Sequence, residues 1–156
     1  MIPSAAHLRI MVLISAPAFR LPGLCAPHGI PCLSNVQIVS IIDDDASVRA
    51  AMEALVRSVG FVAFAFESAE DFLRSPRVDD SACLITDVQM PGMSGLDLQN
   101  RLIAQGSHIP IIFITAFPEQ DIRSRAQAAG AIAFLEKPFD GETMINLLRT
   151  ALAARS

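Results

Sequence analysis

Neither tryptophan nor tyrosine occurs in the 156 residues, which removes the side chains on which a flavin ordinarily stacks. Cysteine is scarce as well: Cys25, Cys32 and Cys83 form no CxxC pair and no even framework, so neither a disulfide scaffold nor a thiolate metal site is indicated. Cys83 sits inside an apolar run as a small hydrophobe, and this cysteine usage fits a reducing, cytoplasmic setting. His7, His28 and His108 lack the spacing of a zinc site. The apolar run near the N-terminus is far too short to span a bilayer as a helix, so no membrane role is expected. Basic charge is also short. From Val36 onward ten basic residues stand against sixteen acidic ones, which argues against a nucleic-acid footprint and against direct DNA binding.

Acidic residues are missing altogether from the first 34 positions. Five prolines (Pro3, Pro17, Pro22, Pro27 and Pro31) break any periodic pattern there. "IMVLISA" followed by "APA" weakly resembles a signal-peptide core with a small-residue cleavage site. The reading preferred for residues 1–34 is a poorly ordered extension or a translation start assigned too far upstream. Residues 35–154 then form one domain, and a hydrophobic content of 52% is ample for its core.

What is present after Val36 is a regular alternation. "VQIVSII", "FVAFAF", "ACLIT", "IPIIFIT" and "AIAFLEK" read as short apolar strands. Between and after them lie segments of helical period, such as "ASVRAAMEALVRSVG", which places Val48, Ala51, Met52, Leu55, Val56 and Val59 at helical spacing and stops at Gly60. Ser68 with Asp71, and Ser94 with Asp97, carry the spacing of capping boxes. Five βα units with nearly continuous apolar strands predict an α/β three-layer sandwich with a parallel five-stranded sheet. Ligands of such sheets bind beyond the carboxyl ends of the strands. That rule selects residues, because the first strand ends in Asp43, Asp44 and Asp45, the third in Asp87, the fourth in Thr115 and the fifth in Lys137.

Three consecutive carboxylates repel one another by about 4 kcal/mol per pair at 4 Å and a protein-like dielectric, so a cation is needed beside them. With no histidine or thiolate in the group, a hard ion such as Mg²⁺ fits best. Asp87 stands alone at its strand end and has the chemistry of a carboxylate nucleophile toward phosphorus. Lys137 and the Thr115 hydroxyl suit the oxygens of a transferred phosphoryl group. Asp45, nearest the helix, is the candidate N-cap. Singly, Thr115 and Lys137 are unremarkable at strand ends; the coincidence of four such ends points to phosphoryl transfer onto Asp87.

At these residues the chain resembles the response-regulator receiver domain of two-component signalling, of the CheY-like superfamily. The pieces that carry the resemblance are "IIDDD", "LITDVQMPGMSGLDL", "IIFITA" and "FLEKPF". It extends from about Val36 to Leu152 and is nearest to the FixJ-like branch. The resemblance implies a flavodoxin-like (βα)5 fold with strand order 2-1-3-4-5. It implies Asp87 as phosphoacceptor from a sensor histidine kinase or phosphotransfer protein, with Mg²⁺ held by Asp43, Asp44, Asp87 and the backbone carbonyl of Gln89. Lys137 would pair with the phosphoryl oxygens, ahead of a cis bond to Pro138. Thr115 and Phe134 would form the switch, Phe134 turning inward behind Thr115. The surface affected would be the fourth helix, fifth strand and fifth helix, facing an unknown output partner or a second copy in a phosphorylation-dependent homodimer. Gln89 and Phe117 hold the positions that tune phosphoryl lifetime, and Phe117, with no polar group for an attacking water, implies slow self-dephosphorylation. Only a few residues follow the fifth helix, so the expected mode of action is partner binding or service as a phosphate sink.

The same residues admit three rival readings. A Mg²⁺-dependent phosphatase of the haloacid-dehalogenase type would use Asp43 as nucleophile with Asp45, Thr115 and Lys137, but it leaves "TDVQMPGMSG" without a role. A flavodoxin-like flavin carrier would meet three carboxylates where its phosphate must sit. A non-catalytic structural module would not bind Mg²⁺.

Overall fold

The apolar runs form strands β1 (Ile38–Ile42), β2 (Val62–Phe66), β3 (Ser81–Asp87), β4 (Ile111–Thr115) and β5 (Ala133–Glu136) of a computed structural model that describes residues 36–154. The expectations for residues 1–34, Cys25 and Cys32 among them, fall outside the described residues. All five strands pair in parallel, in the order β2-β1-β3-β4-β5, as the βα rhythm predicts. The helices are α1 (Ala46–Ser58), α2 (Ala69–Arg74), α3 (Arg77–Asp80), α4 (Gly95–Ala104), α5 (Gln120–Ala128) and α6 (Gly141–Ala153).

One helix was not expected. Ser75 adopts extended backbone, with ψ of 155°, because the ring of Pro76 crowds the helical region of the residue before it. α2 therefore stops after six residues, and the chain restarts as the single turn α3 behind Pro76. The helices numbered fourth and fifth from the sequence are accordingly α5 and α6.

Successive side chains of a strand point to opposite faces, and the core divides along that rule. Val39, Ile41, Cys83, Ile85, Ile112 and Ile114 pack with Met52 and Val56 of α1 and with Met144, Leu148 and Leu152 of α6. Ile42, Leu84, Ile111, Phe113 and Phe134 pack on the other face with Phe72 of α2, Leu98 and Leu102 of α4 and Ala126 of α5. Each buried Val, Leu, Ile, Phe or Met among them contributes roughly 1.5–3 kcal/mol by leaving water. β4 is buried along its whole length, which is why "IIFIT" reads as an unbroken apolar run.

The caps set where the helices leave the sheet. The Asp45 carboxylate accepts from the amides of Ser47 (2.7 Å) and Val48 (3.3 Å), so it is the N-cap of α1. Ser94 and Asp97 complete a reciprocal capping box on α4. At α2 only half of the box forms, since Ser68 accepts from the Asp71 amide while the Asp71 carboxylate turns to Arg74. Among the described residues no helix is long and apolar enough to cross a membrane.

Candidate functional site

A parallel sheet delivers every strand to the same edge, so residues 43, 87, 115 and 137 meet there although they are far apart in sequence. Asp43 continues β1 by one rung, its amide donating to the Phe66 carbonyl at 3.2 Å, and its side chain is fully buried. One oxygen of its carboxylate accepts from the Asp45 amide at 2.8 Å. The other accepts from Lys137 Nζ at 2.9 Å. The same ammonium donates to Asp87 Oδ2 at 2.8 Å, and Asp87 Oδ1 accepts from the Gln89 amide at 2.9 Å. Lys137, the single lysine of the chain, is itself held by its backbone amide, which donates to the Thr115 carbonyl at 2.7 Å. The peptide bond from Lys137 to Pro138 is cis.

Three consecutive aspartates thus have three separate environments. Asp43 is buried against Lys137, Asp45 is spent on the helix, and Asp44 is exposed at the mouth. One carboxylate oxygen from each of Asp43, Asp44 and Asp87 lies within 4.8 Å of the others. Among the described residues Lys137 is the one cation paired with these carboxylates, and it bonds only Asp43 and Asp87, which leaves the cluster short of positive charge. The donors are all hard oxygens, and each carboxylate keeps lone pairs beyond those already engaged. That set suits a hard divalent cation of the size and preference of Mg²⁺.

Burial pushes the Asp43 carboxyl above its usual range, with the Lys137 hydrogen bond and the Asp45 amide counteracting only in part and the Asp87 charge adding to the rise. Burial pulls Lys137 down, but its hydrogen bonds to Asp87 and then Asp43, with the charges of both, outweigh that pull. Its ammonium is held above the ordinary lysine value.

The remaining residues are placed less simply. Thr115 is buried, and its hydroxyl is engaged by the backbone of Phe117, donating to the carbonyl at 3.2 Å and accepting from the amide at 3.1 Å. The hydroxyl shares the edge but not the side-chain hydrogen bonds that link Lys137 to Asp43 and Asp87. Phe117 is 66% exposed and presents its ring to solvent beside the site. Phe134 lies inward, 8% exposed, with its ring 6.2 Å from that of Phe113 and the Arg123 guanidinium 5.9 Å above it. Gln89 is exposed and meets Asp87 through its backbone.

Two residues at the site escaped the sequence reading. Arg49, one turn into α1, donates from Nη1 to the Asp43 carbonyl at 2.7 Å and braces the acidic turn. Nothing in its spacing separates it from a solvent-facing arginine. Gly95 opens α4 against the phosphoacceptor candidate: a Cβ there would stand 2.4 Å from the Asp87 carbonyl oxygen and 3.0 Å from Phe113 Cε1. A glycine directly after an N-cap, where side chains are otherwise well tolerated, was the available signal.

Comparison with known proteins agrees with this geometry. The family model described as "Response regulator receiver domain" matches residues 39–149. The chain is 42% identical over 118 residues to Nodulation protein W of Bradyrhizobium diazoefficiens, covering 76% of this chain and 52% of that protein. It is 40% identical over 114 residues to the transcriptional regulatory protein FixJ of Azorhizobium caulinodans, covering 73% and 54%. The crystal structure of FixJ-N superposes with a TM-score of 0.68 at 35% identity, covering 75% of this chain and 94% of that one. The chain spans about half the length of these curated relatives.

The phosphatase alternative finds no support. The family match is to receivers, and the Asp43 side chain is fully buried while that of Asp87 keeps 9% exposure at the same edge. Strand order, strand-end chemistry and relatedness therefore converge, and the chain belongs to the response regulator receiver domains of two-component signalling, signalling modules and not classical enzymes.

Proposed function

We propose that residues 35–154 act as a phosphoryl-accepting switch with Asp87 as the acceptor. The observation that carries this reading is the Lys137 ammonium bridging Asp43 and Asp87, with the Asp44 carboxylate beside them at the open edge. An oxygen of Asp87 attacks the phosphorus of a phosphohistidine on a sensor kinase or phosphotransfer protein. A P–O bond forms, the P–N bond breaks, and its electron pair stays with the imidazole nitrogen, which takes up a proton. Lys137 then neutralises the new oxygens. Asp43, Asp44, Asp87 and the Gln89 carbonyl would hold Mg²⁺, whose chemistry when bound is to offset charge on the transferring group. The weak self-phosphorylation and self-dephosphorylation expected of such a site also depend on it.

In this reading the phosphoryl group draws the Thr115 hydroxyl away from the Phe117 backbone, and the inward packing of Phe134 is favoured behind it. That is a population shift, because the group interacts better with one arrangement than with the other. The change is passed to the surface of α5, β5 and α6, for an output partner or for a second copy of the chain. Gln89 and Phe117 flank the acceptor and set the lifetime of the acyl phosphate. The setting is the cytoplasm, and no contact with DNA is invoked.

The test is a phosphate-affinity gel of wild type and Asp87→Asn after incubation with acetyl phosphate, with and without Mg²⁺. A Mg²⁺-dependent shift that the variant loses is the expected result. A folded wild type that never shifts would overturn the assignment.

A further inference from the structure

The segment between Asp87 and α4 carries the backbone that touches the acceptor, yet its own fold gives it little support. Its two ends are fixed: the Val88 amide donates to the Ile114 carbonyl and the Gly95 amide to the Val88 carbonyl, both at 3.0 Å. The tip, Met90–Pro91–Gly92–Met93, makes no backbone-to-backbone hydrogen bond among the described residues. What reaches it comes from another element. Glu70, in the first turn of α2, accepts the Met93 amide on Oε1 at 2.9 Å. The same oxygen lies 2.8 Å from where a Cβ on Gly92 would stand. Gly92 has φ of +80°, so the tip bends in a conformation that calls for glycine.

Glu70 is well placed to transmit position and not merely to decorate a surface. Its helix is anchored by Ala69 and Phe72, both fully buried in the core that Met90 and Met93 also join. A carboxylate accepting a backbone amide is a charge-assisted bond, stronger and shorter than a neutral one. The bond spans 23 residues of sequence and links α2 to the loop that begins with Gln89, whose amide holds Asp87.

We propose that Glu70 is a positioning residue for phosphoryl transfer: from α2 it fixes the tip of the acceptor loop and so the Gln89 backbone beside Asp87. This rests on the reading of Asp87 as the acceptor. Glu70 touches neither the reacting oxygen nor the phosphoryl group, and it acts through the loop. A misplacement of about 1 Å, far from the bond being made, can cost on the order of a hundredfold in rate, so a loop freed at its tip is expected to react more slowly without loss of the fold.

The experiment compares Glu70→Ala, Glu70→Gln and Glu67→Ala with wild type. Amide hydrogen exchange at Met93 is followed by NMR, and the rate of phosphorylation by acetyl phosphate is measured in saturating Mg²⁺. The Gln side chain keeps an acceptor oxygen without the charge, and Glu67→Ala removes an equal charge from a nearby exposed site. Expected are a roughly tenfold slower phosphorylation and faster Met93 exchange in Glu70→Ala, recovery to within about twofold in Glu70→Gln, and no change in Glu67→Ala. Wild-type rates in a Glu70→Ala protein would overturn the proposal. Equal slowing in Glu70→Ala and Glu70→Gln would overturn it too, by assigning the effect to charge. If wild type shows the Glu70-dependent protection of Met93 but takes no phosphoryl group, the acceptor reading fails and the role of Glu70 in transfer goes with it, while the bond itself stands.

Discussion

Replacing Lys137 by methionine and Asp43 by asparagine should move stability in opposite directions. The pairs from Lys137 to Asp43 and to Asp87, at 2.9 and 2.8 Å, each carry roughly 6 kcal/mol of gross attraction at an effective dielectric of about 20. Desolvation removes several kcal/mol per ion from that sum. The Lys137 side chain is 22% exposed while that of Asp43 is fully buried, so the ammonium gave up less solvation than the carboxylate it neutralises. Lys137→Met leaves two carboxylates with no cation and is expected to cost about 3 kcal/mol. Asp43→Asn removes one of three negative groups, keeps an oxygen for the Asp45 amide and leaves Lys137 paired with Asp87; its NH2 then faces the ammonium, which limits the expected gain to about 1 kcal/mol.

Urea unfolding in EDTA at neutral pH, followed by far-UV circular dichroism since the chain has no tryptophan or tyrosine, measures both. In the Asp43→Asn background, Lys137→Met should cost less than half as much. The pH dependence follows the same logic. The folded-state value of Asp43 is raised above 3.8, so its contribution to stability is full below that value and declines as pH rises through the folded one. That decline should be absent in Asp43→Asn. Lys137, raised above 10.5, keeps its contribution below that value and loses it as pH rises through its folded one. Similar losses of stability from both substitutions would refute the reasoning, because they describe a balanced ion pair and not a cluster short of cations.

Other consequences are open to equally direct checks. Gly95→Ala drives a methyl to 2.4 Å from the Asp87 carbonyl, against backbone that cannot yield cheaply, and should destabilise by about 1–3 kcal/mol in the same unfolding assay. Mg²⁺ should raise the unfolding free energy of wild type by about 2.7 kcal/mol at one hundred times its dissociation constant, and much less in Asp44→Asn or Asp87→Asn. Phe117→Glu places a carboxylate where an exposed ring now stands and should shorten the acyl-phosphate lifetime, read as decay of the shifted gel band; an unchanged decay would show that this position does not govern water attack.

The site was legible because topology did the gathering. Once five apolar runs are read as parallel strands, their last polar residues must share an edge, and Asp43, Asp87 and Lys137 do. Thr115 shows where that rule stops. It reaches the edge, but a short hydroxyl side chain competes for nearby backbone groups, and here it bonds Phe117. Arg49 and Glu70 were invisible for another reason. Each acts on a carbonyl or an amide that no periodicity marks, whereas Gly95 was marked by its place directly after an N-cap. The split of α2 and α3 had a signal in the sequence, since Pro76 disfavours helical backbone at Ser75.

Lys137 is the only lysine in the chain, and it bridges the two carboxylates at the reacting edge. Reductive methylation with ¹³C-formaldehyde would therefore install a single side-chain probe, which keeps its positive charge and sits at the site itself. Its methyl signal, distinct from that of the α-amine, would report metal entry and phosphoryl arrival in one spectrum without isotope-labelled expression. A protein silent to tryptophan fluorescence thus carries one built-in spectroscopic address, and that address lies where the chemistry happens.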